Sequence, residues 1–145
     1  MLAVSACLAG FPCRYDHKSC TEVEIAQIVQ TSQAIPLCPE QLAGLPTPRD
    51  PAEIVGGDGF DVLEKRAKVI DSEGHDVTEI YVKGAYEALA FCQERGITSV
   101  VLKDGSPTCG SQQIYDGTFS GRKIPGAGVA TALLVQNGIQ VNGKG

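Results

Sequence analysis

Short apolar runs predict buried β-strands at four places in the chain. "MLAVSA" opens the sequence, "AIPLC" covers residues 34–38, and "ITSVVLK" carries the β-branched side chains typical of strands. A fourth run, "IQVN", predicts a short last strand. Runs this short and apolar fit strands in the interior of a sheet.

Segments between these strands predict helices. Thr21 and Glu24 match a capping box ahead of a helix with one apolar face. A second helix is predicted from Thr78 to Arg95. Its apolar stripe consists of Val82, Ala85, Leu89 and Cys92. "GVATALLVQNG" predicts a third helix, which ends at Gly138.

Two further segments interrupt this alternation. The stretch from Pro39 to Gly59 is rich in proline and glycine, so it cannot be one regular element throughout. "DVLEKRAKVIDSEGHDVT" alternates weakly about the turn-like "DSEG" and predicts a small hairpin. The order of strands and helices predicts an α/β fold with a three-layer, Rossmann-like, open and mostly parallel sheet and a small hairpin excursion. All 145 residues are expected to form a single domain.

Composition and charge exclude several classes of function. A net charge of -5 argues against binding a nucleic-acid polymer through a basic face, whereas a small-molecule ligand stays open. The sequence contains no run of 18 apolar residues and no pattern of a signal peptide. We therefore expect a cytoplasmic protein that does not bind membranes. In that reducing compartment, its six cysteines are expected to be thiols, ligands or catalysts rather than disulfides.

Half of the cysteines follow predicted strands. Cys7 comes after the first strand, Cys38 ends the second, and Cys109 lies in "KDGSPTCGS" after the third. The carboxyl ends of parallel strands meet at one edge, where α/β proteins bind ligands, so these thiols are predicted to share a site. Cys92 lies on the helical stripe and is predicted to pack in the core.

The cysteine spacing restricts the kind of metal site. A closed structural zinc site needs four ligands, usually in C-x-x-C pairs, and no such pair occurs here. Three thiolates with an open position leave catalytic zinc and an iron–sulfur cluster as alternatives. His17 is a possible fourth ligand but is expected to be a solvated loop histidine. Cys13 and Cys20 are expected to be incidental thiols, with a redox-sensitive thiol beside the site as the alternative for Cys13.

The segment from Cys7 to Arg14 resembles the phosphate loop of low-molecular-weight tyrosine phosphatases. In that family five residues separate cysteine and arginine, so that backbone amides and the guanidinium close around one phosphate. Here six residues intervene, and one of them, Pro12, has no amide hydrogen to donate. The pair Asp50 and Pro51 also lies too early in the chain to match that family's general-acid loop. The phosphatase is therefore the weaker interpretation.

A set of four ordered motifs resembles the TudS-type thiouracil desulfidase family over nearly the full length. The motifs are "SACLAGFPCRYD", "CPEQLAGLPTPRDPAEI", "LKDGSPTCG" and "IYDGTFSGRKIPGAGVATALL". The resemblance implies an enzyme that hydrolytically removes sulfur from a thiolated uracil or thiouridine monophosphate and releases sulfide. It also implies a 4Fe-4S cluster on Cys7, Cys38 and Cys109 with one iron open. Because an open iron is easily lost in air, an aerobically prepared sample that lacks the cluster or holds another metal would be compatible with this interpretation.

Two polar residues beside the implied ligands are candidates for catalysis. Glu40, two residues after Cys38, is the candidate general acid or base. Ser106 is a candidate to hold or polarise the pyrimidine or to relay a proton. Their structural alternatives are a solvated loop carboxylate for Glu40 and a turn cap before Pro107 for Ser106.

Basic residues ahead of the last helix are candidates for binding a phosphate. Arg122 and Lys123 in "SGRKIPGAG" precede the helix N-terminus, where backbone amides bind anions, and the alternative is a glycine turn beside solvated cations. Such a site would favour thiouridine monophosphate over the free base. Further candidates for the substrate pocket are Arg14, Tyr15, Asp16 and Arg49. Of these, Tyr15 is expected to stack on the ring, and an ion pair is the alternative role for Arg49.

Non-enzymatic functions are compatible with the same cysteines. A metal or thiol sensor would bind through them without turnover, and replacing Glu40 would leave its ligand response unchanged. A structural α/β domain would lose no cofactor when Cys7, Cys38 and Cys109 are each replaced by serine.

Overall fold

A parallel sheet forms the centre of the structure. The computed structural model describes residues 2–5, 34–38, 42, 44, 50–103 and 107–144, and within them this sheet has four strands. The strands are β1 (Leu2–Ser5), β2 (Ala34–Leu37), β5 (Ser99–Lys103) and β8 (Gln140–Lys144). Their spatial order is β2-β1-β5-β8, and every neighbouring pair is parallel. The predicted α/β fold with a mostly parallel sheet is confirmed.

The remaining described elements are helices and short antiparallel pairs. The helices are α1 (Gly59–Leu63), α2 (Thr78–Glu94) and α3 (Val129–Gln136). The antiparallel pairs join β3 (Ala52–Val55) to β4 (Lys68–Asp71), and β6 (Gln113–Tyr115) to β7 (Lys123–Pro125). Along these residues no helix has the length and apolar character needed to cross a bilayer. The helix predicted after Thr21 lies outside the described residues.

The core lies against both faces of β1. Successive side chains of a strand point to opposite faces. Ala3 and its sheet neighbour Val100 are fully buried in one cluster with residues of α2 and α3. Val4 is on the opposite face and is 1 % exposed. Both faces of β1 are therefore covered, as expected for a strand of a parallel sheet.

The long helix α2 follows its predicted boundaries to within one residue. Of its predicted apolar stripe, Ala85, Leu89 and Cys92 are buried and Val82 is partly buried. Burial raises the pKa of the Cys92 thiol, because the interior disfavours the thiolate. The predicted packing of Cys92 in the core is confirmed.

The predicted hairpin around "DSEG" is correct only at its turn. Asp71 donates its amide to His75, and a single bridge joins Ile70 to Asp76. The strand before this turn, β4, pairs instead with β3, upstream in the chain. Residues 61–63, which were predicted to belong to the hairpin, form part of α1. The capping box of Asp58 and Asp61 starts a helix there, which the weak alternation did not reveal.

A second hairpin, β6–β7, was not predicted. Its tip is held by Glu53 of β3, whose carboxylate accepts hydrogen bonds from the amides of Gly117 at 2.9 Å and Phe119 at 3.2 Å. Glu53 is only 8 % exposed, so these bonds replace the water that a carboxylate would otherwise bind. Within the tip, Asp116 accepts hydrogen bonds from the amide and hydroxyl of Thr118.

We expect protonation of Asp116 to loosen this hairpin. The hydrogen bonds from the Thr118 side chain and amide lower the pKa of Asp116 below its usual range near 4. A carboxyl whose pKa is lower in the folded state stabilises the fold above its unfolded pKa, and that stability is lost as the pH falls through the folded value. Asp116→Asn should therefore reduce the dependence of stability on pH between about pH 5 and pH 3, measured as urea midpoints.

An independent variant tests the cause of this effect. Thr118→Val removes the hydroxyl that contributes most to the lowered pKa of Asp116. It should reduce the acid dependence in the same direction as Asp116→Asn. Urea midpoints in either variant that follow the parent protein across this pH range would contradict the assignment.

Candidate active site

The order of strands in the parallel sheet bears on the predicted thiol site. Strand β1 lies between β2 and β5. From β1 the chain forms β2 on one side and later returns to form β5 on the other side. The strand order therefore reverses beside β1, and in open α/β sheets ligands bind in the crevice at such a point.

Two of the three predicted thiol ligands are among the described residues. Cys38 directly follows β2 and is half-buried, whereas Cys109 follows β5 and is 8 % exposed. Both are thiols rather than members of a disulfide. Within the described ranges, no three His, Cys, Asp or Glu side chains form a group that fits a metal ion. A site with three thiolates that includes Cys38 and Cys109 therefore needs a cysteine outside those ranges, and Cys7 is the one predicted from the sequence.

The turn that carries Cys109 is docked on the N-terminus of α3. The amide of Val129 donates to the carbonyl of Pro107 at 2.7 Å, and the amide of Ala130 donates to Thr108 at 3.0 Å. The amide of Gly128 donates to Gly110, also at 2.7 Å. The first amides of a helix have no partner inside the helix. Here the carbonyls of the cysteine turn supply those partners.

Glycine permits this close approach on both sides of the α3 N-terminus. A Cβ on Gly128 would overlap the carbonyl group of Thr108 and lie 2.8 Å from the amide nitrogen of Cys109. A Cβ on Gly59, at the start of α1, would overlap the carbonyl group of Gly128. Gly59 also donates its amide to the carbonyl of Ala127 at 2.7 Å. The cysteine turn, the start of α3 and the start of α1 therefore stack directly on one another.

The predicted phosphate site at the N-terminus of α3 is wrong in its physical basis. The amides of Val129, Ala130 and Thr131 already donate to carbonyls of the cysteine turn, so they are not available to an anion. Arg122 and Lys123 lie on the β6–β7 hairpin and are exposed. A role for these two side chains in substrate binding stays a prediction.

Arg122 and Lys123 each lie close to another residue of the hairpin. The Nε atom of Arg122 is 4.0 Å from the carboxylate of Asp116. The Nζ atom of Lys123 lies 5.4 Å from the centre of the Tyr115 ring. Both contacts lie at a solvated surface. The ion pair of Arg122 is therefore expected to contribute little to stability.

All of the other predicted site residues fall outside the described part of the chain. They are Cys7, Arg14, Tyr15, Asp16, Glu40, Arg49 and Ser106. The same holds for Cys13, His17 and Cys20. Their assignments therefore stay predictions.

Sequence reasoning missed the residues that support the cysteine turn. Asp58 caps α1 and also accepts a weak hydrogen bond from the amide of Ala127 at 3.4 Å. Thr131 donates its hydroxyl to the carbonyl of Cys109 at 3.1 Å. The spacing of Asp58 and Asp61 was a usable signal for a helix start. No local pattern indicated the contact of Thr131, because its partner is 22 residues away.

Comparison with known proteins identifies the family. The sequence profile of the 2-thiouracil desulfurase family matches residues 2–144. The chain belongs to this family. Membership of the 2-thiouracil desulfurase family confirms the resemblance of the four motifs and makes the chain an enzyme rather than a structural domain.

Two proteins that are similar to this chain match almost its whole length. The uncharacterized protein YbbK of Bacillus subtilis (strain 168) is 49% identical over 141 residues, which are 97% of this chain and 93% of YbbK. The solved structure of the [4Fe-4S]-dependent thiouracil desulfidase TudS is 41% identical. It superimposes with a TM-score of 0.85 over 99% of this chain and 89% of its own. The fold around the cysteine turn is therefore shared with an enzyme of solved structure.

Adding a single methyl group at Gly128 should disrupt the cysteine turn. Gly128→Ala places a Cβ against the backbone of Thr108 and Cys109, and backbone cannot move aside as a side chain can. We expect the free energy of unfolding to fall by about 1–3 kcal/mol, the usual cost of overpacking. Urea unfolding of the purified variant measures this change.

Gly138→Ala is the control for this substitution. Gly138 follows α3 with a φ of +80°, and no atom lies within 4 Å of a Cβ built there. Its replacement adds backbone strain of about 1 kcal/mol without a clash. A Gly128→Ala variant that is no less stable than Gly138→Ala would contradict the close stacking.

Proposed function

We propose that this protein is a hydrolytic desulfidase that removes sulfur from a thiolated uracil or thiouridine monophosphate and releases sulfide. The observation that carries the proposal is that Cys38 and Cys109 follow the two parallel strands on either side of β1. Support also comes from the 41% identity to TudS, which is a [4Fe-4S]-dependent thiouracil desulfidase.

The donor set fits an iron–sulfur cluster. Iron–sulfur clusters are held by cysteine thiolates, and the two described candidates are both thiols that follow strands of one parallel sheet. The docked turn and the low exposure of Cys109 suit a ligand that must be held in one geometry. In the proposal, Cys7, Cys38 and Cys109 hold the cluster. When bound, this cluster would supply a Lewis-acidic iron with affinity for the soft sulfur of a thiocarbonyl.

The reaction also needs groups that move protons. Overall, water adds its oxygen at the carbon that carried sulfur, and the sulfur leaves with two protons as hydrogen sulfide. In the proposal the Glu40 carboxylate accepts a proton from the attacking water and returns one to the leaving sulfur. The Ser106 hydroxyl donates a hydrogen bond to the pyrimidine and fixes its orientation.

The remaining predicted residues select the substrate. Tyr15 stacks on the pyrimidine ring, and Arg14, Asp16 and Arg49 line the pocket. Arg122 and Lys123 bind a nucleotide phosphate through their charged side chains alone, because the amides of α3 are engaged. This proposal makes the substrate a small molecule rather than a nucleic-acid polymer.

Removal of a proposed ligand should abolish both iron binding and sulfide release. After anaerobic reconstitution with iron and sulfide, Cys38→Ala and Cys109→Ala should each lose the visible absorption of the cluster. Each should also release no sulfide from 2-thiouracil or 4-thiouridine monophosphate. Cys92→Ala is the matched control, because Cys92 is buried on α2 and is not a proposed ligand. Equal retention of iron in all three variants would overturn the ligand assignment.

Replacement of Glu40 separates an enzyme from a sensor. Glu40→Gln keeps the size of the side chain and removes its ability to accept a proton. We expect an intact cluster spectrum and a fall in kcat for sulfide release of about 10²–10⁴-fold, the usual contribution of a general acid or base. Unchanged turnover would remove Glu40 from the mechanism, and a parent protein that binds iron without turnover would favour a sensor.

A further inference from the structure

A buried side-chain hydrogen bond fixes the peptide group of Cys109. Thr131 lies in the first turn of α3 and is 3 % exposed. Its hydroxyl donates to the carbonyl oxygen of Cys109 at 3.1 Å. A threonine hydroxyl in a helix often bonds a carbonyl of its own helix, one turn back. Here it bonds a carbonyl outside the helix, in the turn that carries a proposed ligand.

Thr131 is distinctive among the groups that hold this turn. The carbonyls of Pro107, Thr108 and Gly110 accept hydrogen bonds from backbone amides at the start of α3. The carbonyl of Cys109 instead accepts from a side chain. Of these hydrogen bonds between the turn and α3, the one from Thr131 alone depends on the identity of a side chain.

We propose that Thr131 is a positioning residue whose hydroxyl fixes the peptide group of Cys109 and thereby the direction in which the thiol is presented. The proposal rests on the proposed function in which Cys109 is a cluster ligand. Fixing the carbonyl restricts rotation about the adjacent backbone bonds of Cys109. The thiol is then held in place before a metal centre binds, which reduces the ordering that binding requires.

The first experiment measures the thiol in the metal-free protein. Thr131→Val keeps the shape of the side chain and removes the hydroxyl, whereas Thr131→Ser keeps the hydroxyl. Alkylation by iodoacetamide is followed separately at Cys109 and Cys92 by peptide mass spectrometry. In Thr131→Val we expect Cys109 to react about fivefold faster, which corresponds to the loss of one hydrogen bond of ordinary net strength. Cys92, buried on α2, should keep its rate.

The second experiment uses the reconstituted protein. Iron release to a ferrous chelator under anaerobic conditions should be about fivefold faster in Thr131→Val than in the parent protein. Thr131→Ser should stay within about twofold of the parent protein in both experiments, because it retains the donor. Rescue by serine distinguishes the hydroxyl from the packing of the threonine methyl group.

Each outcome decides the proposal. Parent-like rates at Cys109 in Thr131→Val would overturn it. Equal acceleration at Cys109 and Cys92 would also overturn it, since Thr131 would then stabilise the whole fold rather than one turn. Rates in Thr131→Ser that stay as fast as those in Thr131→Val would also overturn the proposal. If the parent protein forms no cluster and releases no sulfide, the proposed function fails, whereas the alkylation experiment still tests Thr131.

Discussion

The docking of the cysteine turn on the first turn of α3 is the interaction on which the site depends. The residue that precedes α3 is Gly128, which has no side chain to accept hydrogen bonds from the free amides of the helix. The carbonyls of Pro107, Thr108 and Gly110 take that role. The amides of the helix and the carbonyls of the turn are therefore each other's hydrogen-bond partners. Because α3 has only eight residues, its stability comes from such tertiary contacts rather than from the helix alone.

This docking also requires glycine at the points of closest backbone contact. Backbone must approach backbone at Gly128 and again at Gly59, and a Cβ at either position would overlap a carbonyl group. Asp58 extends the stack, since its carboxylate caps α1 and also accepts from Ala127. The contacts that support Cys109 thus extend through α3 to the start of α1 at Gly59, which is 50 residues before Cys109 in the chain. Each turn carbonyl that accepts a helix amide restricts the orientation of its peptide group.

The sequence predicted the elements well and their contacts poorly. Strands β1, β2 and β5 and helix α2 were found because apolar runs and helical periodicity follow from burial of a face. The β6–β7 hairpin was missed because its tip is held by Glu53, more than 60 residues away. The anion site expected at the N-terminus of α3 was wrong because backbone carbonyls accept hydrogen bonds from the amides that an anion would need. Every residue has a backbone carbonyl, so the sequence does not reveal such a contact. For the site, strand order agrees with the prediction that Cys38 and Cys109 follow two strands of one parallel sheet, whereas their role as ligands stays a prediction.

The positions of the two described thiols are determined in different ways. Cys38 is the residue after β2, so the strand itself determines its position. Cys109 comes six residues after Lys103, the end of β5. Six residues of extended chain span up to about 20 Å, so β5 alone cannot determine where Cys109 lies. A ligand on a connection of this length needs an anchor other than its own strand. The N-terminus of α3 is that anchor, because its first amides donate hydrogen bonds to carbonyls of the turn that carries Cys109.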